Sequence, residues 1–357
     1  MARTWDASSC LICFNMETIL SPKTVLAIML SILIFLFSSP IGVLSQRYST
    51  FSSIPLPPRA SAPVTLAFDV PLVGGALYVG VGDGRILKKP AGPTAQFSVF
   101  ATTSPRRSNA LCDGTTDPNL GPICGKPFGL RFNYLTRQLY IADAYLGLSV
   151  VGQGGGLATS LAIGADGVPF RFLTSIDVSQ ISGMVYLTDA SLTFDLRNVT
   201  DPNFERDSTG RLISYNPRTR ESKVLLTGLG RPTGVAVSLD GSFLLIAEYN
   251  NRRIQRFWLT GLRANTVETL LNLPGNPVNI RMAGLSDFWV AMRLTSQQPP
   301  LVITPLAQRI NIFGVVLAQV NFSAQYQNMT VSVVLEQNAA LYTGSRRDAV
   351  NFVGVYR

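Results

Sequence analysis

Residues 139–156, LYIADAYLGLSVVGQGGG, read as a short apolar β-strand that runs into a carboxylate at Asp143 and ends among glycines. One such strand decides nothing, but the pattern recurs. ALYVGVGDGRIL (76–87), MVYLTDAS (184–191), FLLIAEYNNRRI (243–254), FWVAM (288–292) and ALYTGSRR (340–347) bring the occurrences to six. Roughly ten residues ahead of most of them lies a second apolar run: APVTLAFDV, KPFGLRF, FLTSIDV, RPTGVAV, NPVNIRM or MTVSVVL. Each unit is therefore at least a hairpin, joined by turns such as SQISG and SLDGS. Long helical periodicity is absent, which argues against an α/β fold, and a β-sandwich would need fewer and less regular units. Shared among six units, the chain beyond its leader gives about 52 residues each, the size of a four-stranded blade. The expected fold is all-β, a six-bladed β-propeller over residues 64–357.

Of the 357 residues, 46% are hydrophobic and 14% charged, enough apolar material for a large core. The net charge of +9 rests on 25 Arg and 5 Lys, and there is no His. That absence removes the commonest general base and zinc ligand, and it excludes Ser-His-Asp and Cys-His catalysis.

Lys23 precedes an apolar run from Val25 to Phe37, and Val43 and Ser45 follow, so residues 1–45 read as a secretory signal peptide cleaved after Ser45. The alternative is an uncleaved signal anchor, although the run is short for a membrane span. Met16 lies closer to the charged region than Met1, which points to an upstream extension of fifteen residues. Cleavage removes Cys10 and Cys13. It leaves Cys112 and Cys124, an even pair that in an oxidising compartment reads as one disulfide, the alternative being two unrelated buried thiols. Asn198, Asn321 and Asn328 open N-x-S/T sequons and are candidate glycan sites. Residues 46–63, with FSSIPLPPRASA at their centre, are expected as a Pro/Ser-rich extended arm.

In a propeller the innermost strands line a channel whose mouth forms the usual ligand site. Asp143, Asp189 and Glu248 each end the second strand of a unit, where a carboxylate can accept backbone N–H bonds, and this recurrence favours a structural role.

CDGTTDPNLGPICGKPFGLRF, LYIADAYLGLSVVGQGGGLATSLA, GVPFRFLTSIDV, TGRLISYNPRTRE and GRPTGVAVSLDGSFLLIAEYNNRRIQRFWLTG go beyond a generic propeller. In order and spacing they resemble the plant strictosidine synthase-like family, from about Leu66 to Tyr356. The resemblance implies a six-bladed propeller, a secretory route ending in the vacuole, or alternatively the endoplasmic reticulum or the extracellular space, and a disulfide matching Cys112 to Cys124. It also implies a chemistry, the Pictet-Spengler condensation of tryptamine with secologanin, in which a glutamate of the last blade handles the amine proton. The position matching that glutamate falls at or beside Ser332, in NMTVSVVLEQNAALYTG. The nearest carboxylate, Glu336, reads as a solvated residue of the following turn, and the accompanying histidine is missing. Phe172 stands where the family enzyme has a tryptophan. Arg231 replaces a small apolar pocket residue, and facing the channel it would repel an ammonium and attract a carboxylate or phosphate. Its alternative is to point into solvent.

Phe172, Arg231, Glu248, Asn279 and Ser332 are thus the candidate pocket residues, with no assigned catalytic group. A related reading is a calcium-dependent ester or lactone hydrolase, which needs converging oxygen ligands. Asn279 is the main candidate, with Asp69 and Asp177 behind it, so no metal or other cofactor is expected. The other reading is a non-catalytic propeller that binds a small-molecule metabolite. Nucleic acid is not an expected partner, a membrane is one only if the leader is retained, and the pairs at Arg106, Arg252 and Arg346 read as a solvated face.

Overall fold

The computed structural model describes residues 48–70 and 74–357. Residues 1–45, read above as a signal peptide or anchor, lie outside them, with Cys10 and Cys13.

The apolar hairpins of the sequence are the inner halves of six antiparallel blades. The inner strands are Pro63–Phe68, Pro127–Asn133, Leu173–Val178, Pro232–Val237, Asn276–Ala283 and Val331–Gln337, defining blades 1 to 6. Each pairs with its second strand: Leu77–Val81, Gln138–Asp143, Val185–Asp189, Phe243–Glu248, Asp287–Thr295 or Ala340–Ser345. Inner strands of consecutive blades pack side by side, and blade 6 returns to blade 1. Their side chains fill the wedges between blades, as where Leu66 and Phe68 meet Val333 and Leu335.

The ring closes with a strand that the sequence reading missed. Phe51–Pro55 pairs antiparallel with Phe352–Tyr356 as the outer strand of blade 6, so residues 46–63 are not merely an arm and the folded body begins before residue 64. An outer edge tolerates Pro55 because one side of the strand owes no hydrogen bonds. Tyr48, also buried, packs edge-on against Trp289.

All six inner strands carry the same irregularity. Register shifts skip Val64, Phe128, Thr174, Thr233, Val278 and Ser332, one bulge per blade near the strand's start. A bulge bends and twists a strand locally, which suits a sheet edge wrapped round an axis. Three of the bulged residues are hydroxylic and clip their blade to the next. Thr174 Oγ1 donates to the Pro232 carbonyl (2.7 Å), Thr233 Oγ1 to that of Pro277 (2.9 Å) and Ser332 Oγ to that of Val64 (2.8 Å). Glycine permits the close approach: a Cβ on Gly344 would lie 2.2 Å from the Pro63 carbonyl oxygen.

The connection from blade 1 to blade 2 crosses the end of the propeller where the inner strands begin. It holds two helical turns, Asn109–Cys112 and Gly121–Cys124, joined by the Cys112–Cys124 disulfide with Cα atoms 5.5 Å apart. A cross-link of this span stabilises by about 3 kcal/mol in the chain-entropy model.

Candidate functional site

Asp143, Asp189 and Glu248 are each fully buried, and each braces the backbone that leads into its own blade's inner strand. Asp143 Oδ2 accepts from Lys126 N (2.8 Å), Asp189 Oδ1 from Phe172 N (2.8 Å) and Glu248 Oε2 from Gly230 N (2.8 Å). Asp143 also caps its following turn through Tyr145 N and Leu146 N. Burial pushes the carboxyls of Asp143 and Asp189 up from the usual range, while their hydrogen-bond donors pull the other way. These acids position Lys126, Phe172 and Arg231 at the channel mouth.

At that mouth, aromatic rings and arginines form one arc. The buried rings of Phe128, Phe172 and Phe204 follow one another with centroids 5.4 and 6.3 Å apart. Arg346 lies 4.6 Å over Phe128 at one end. At the other, Arg231 lies between Phe204 (4.2 Å) and Tyr249 (4.4 Å), and Arg293 stacks on Tyr249 at 5.4 Å. Among the described residues no carboxylate is within salt-bridge distance of these three guanidiniums, and the buried Nε atoms of Arg293 and Arg346 have no hydrogen-bond partner. Burial, then repulsion from Arg231, pushes Arg346 down to about 10. Arg231 is lowered mainly by burial, with Arg293 adding to the shift. Arg346 thus stays charged at neutral pH. Beside the arc, beneath the disulfide loop, opens a cavity of about 300 Å³ bordered by Val64, Lys126, Phe128, Tyr145, Arg346 and Asp348.

The five candidate pocket residues do not all converge. Arg231 joins the mouth and does not point into open solvent, and Phe172 forms part of its floor. Glu248 stands behind, holding Asn251 Nδ2 (2.5 Å) and Arg253 Nε (2.7 Å). Asn279 is buried one residue beyond its bulge, its Oδ1 without a hydrogen-bond partner among the described residues. Ser332 spends its hydroxyl on the clip to blade 1. Nor do the two other oxygen donors join Asn279. Asp69 caps the far end of blade 1 through Ala76 N and Tyr78 Oη, and Asp177 is paired with Arg131 at 2.6 Å.

Two sequence readings need correction. Glu336 is not a solvated turn residue: it lies on the inner strand of blade 6, where it accepts from Trp289 Nε1 (2.9 Å) and Tyr48 Oη (3.3 Å) and faces Arg309 at 3.4 Å. Arg346 belongs to the mouth and not to a solvated face, because Phe128, far away in sequence, packs beneath it. Arg293, Tyr249 and Phe204 were not singled out either. The signal available for Tyr249 is its place directly after Glu248, and for Arg293 its place near the end of the second strand of blade 5.

Comparison with known proteins bears on this arrangement. Residues 174–262, most of blades 3 and 4, match the family model described as strictosidine synthase. The strictosidine synthase-like protein 11 of Arabidopsis thaliana is 37% identical over 314 residues, 88% of this chain and 94% of its own. The chain belongs to the strictosidine synthase-like family. Strictosidine synthase of Catharanthus roseus is 36% identical over 288 residues, covering 80% of each chain. In the crystal structure of a nidogen/laminin complex, a chain with 15% identity aligns with a TM-score of 0.50 over 74% of this chain and 81% of that one, a likeness of fold alone. Among strictosidine synthase-like features, the family model spans two of the three bracing acids, Asp189 and Glu248, as well as Arg231.

Proposed function

We propose that this strictosidine synthase-like protein binds a small anionic plant metabolite with an apolar or aromatic body at the channel mouth, and that it is not an authentic strictosidine synthase. The observation that carries the reading is the triad Arg231, Arg293 and Arg346, stacked on Phe204, Tyr249 and Phe128 with no carboxylate partner. Guanidinium groups in that state suit a carboxylate or phosphate, and the rings suit a planar body. Calorimetric titration with indole-3-acetate and tryptamine, which share a ring and differ in charge, tests it. Indole-3-acetate is expected to bind and tryptamine not, with Arg231→Ala and Arg346→Ala each weakening the acid about tenfold or more. Equal binding of the two, or acid binding untouched by both substitutions, overturns the proposal.

The protein travels the secretory pathway to the vacuole and carries glycans at the exposed Asn321 and Asn328. Asn198 is a poorer acceptor, since it is half-buried and its side chain accepts from Asp195 N in a capping box. The calcium-dependent hydrolase is the less favoured reading. Three arginines at the mouth, none with a carboxylate in salt-bridge distance among the described residues, oppose a divalent cation, and Asp177, a carboxylate on an inner strand, is already paired with Arg131. Melting curves with calcium and with a chelator are expected to coincide, whereas a rise of several degrees with calcium would revive hydrolysis.

A further inference from the structure

Arg131, Asp177 and Arg281 each stand three residues beyond the bulge of their inner strands, so blades 2, 3 and 5 bring them to one level of the channel. Arg131 Nε lies 2.6 Å from Asp177 Oδ1, and Asp177 also accepts from Val178 N and Val237 N, both at 2.8 Å. Arg281 comes from blade 5 yet donates from Nη1 to the Ile176 carbonyl of blade 3 at 3.0 Å. To do so it reaches past blade 4, whose inner strand lies between those of blades 3 and 5 in the ring.

The residue is 3% exposed, and its Nε and Nη2 have no hydrogen-bond partner among the described residues. The cluster thus holds two guanidiniums and one carboxylate, an uncompensated positive charge away from water. Burial and the charge of Arg131 push Arg281 down to about 10, which leaves it protonated at neutral pH. A cavity of about 20 Å³ touches both Arg131 and Arg281, walled otherwise mainly by apolar side chains such as Leu66, Phe68 and Leu130. It has room for a single small species. Water there would satisfy hydrogen bonds but not the charge, and an unpaired buried charge is strongly unfavourable.

We propose that this cavity is a binding site for one halide-sized monovalent anion, held by Arg281 and Arg131, which completes the charge balance of the channel. The site is separate from the mouth, and a bulky carboxylate does not fit it.

The test compares melting temperatures of the purified protein in sodium chloride, sodium bromide and sodium gluconate at equal ionic strength. Chloride and bromide are expected to raise the melting temperature by roughly 2–4 °C per tenfold increase beyond half-saturation, and gluconate is not. Arg281→Met, which keeps the length and removes the charge, should abolish the halide dependence, and the mouth variant Arg346→Ala should retain it. Coincident melts in chloride and gluconate, or halide dependence that survives Arg281→Met, overturn the site. Should that variant fail to fold, crystals of the wild type grown in bromide decide the matter. An anomalous peak between Arg131 and Arg281 supports the assignment, and bromide found only at the mouth or nowhere refutes it.

Discussion

Asp189→Ala is expected to lose about 3–5 kcal/mol of stability, the cost of leaving one partner of a buried ion pair uncompensated. Asp189 is fully buried, and Arg211, its partner at 2.6 Å, is 3% exposed. Without the carboxylate, Arg211 Nη2 keeps only the Pro169 carbonyl at 3.0 Å, and Phe172 N loses its acceptor. Both losses fall on blade 3, one of them on the backbone of Phe172 itself at the mouth, so ligand binding should weaken together with the fold. Asp189→Asn retains one acceptor oxygen and should lose less. Urea unfolding followed by tryptophan fluorescence reads both variants. A loss below about 1 kcal/mol for Asp189→Ala would mean that Arg211 finds another partner and that the acid is not a brace.

The bracing role of Asp143, Asp189 and Glu248 was legible because the repeat exposes it: three units end their second strand with an acid, and recurrence is what backbone support produces. The propeller itself was legible for the same reason. What the sequence hid depends on pairings that have no local signature. Phe51–Pro55 shows no alternation, since Phe51, Ser52 and Ser53 are exposed on an outer edge, and its partner strand lies at the opposite end of the chain. Glu336 looked like a turn because polar residues follow the apolar run, yet the strand continues to Gln337 and buried Trp289 from blade 5 reaches it. Arg346 sits in an Arg-Arg pair, ordinarily a solvated feature, and only Phe128 from blade 2 buries it. Asp177 reads from the sequence as a weak oxygen ligand because its partner Arg131 stands 46 residues earlier, one blade away.

No measurable strictosidine is expected when the purified protein is incubated with tryptamine and secologanin. A positioned general acid or base contributes about 10²- to 10⁴-fold, and Ser332 offers none: its hydroxyl is fully buried and donates to the Val64 carbonyl at 2.8 Å. Two acids could stand in for the missing glutamate, and geometry argues against each. Glu336 shares the strand but lies four residues on, about 13 Å towards the other end of the channel, and is held there by Trp289 and Arg309. Glu248 is fully buried beneath the backbone of Gly230. The mouth arginines oppose the substrate too, because an ammonium entering past Arg231, Arg293 and Arg346 meets three guanidiniums with no carboxylate in salt-bridge distance among the described residues. Ser332→Glu should therefore stay inactive and lose stability, since an ionised carboxylate cannot donate to the Val64 carbonyl and is buried against it. Combining it with Arg231→Val relieves one of the three charges but not the lost clip, so product should remain scarce. Chromatography of the reaction mixtures separates the outcomes. Turnover by the wild type comparable with that of the Catharanthus enzyme would show that an acid other than one at Ser332 performs the proton transfer, and strong activity from Ser332→Glu alone would show that the arginine arc does not exclude amines.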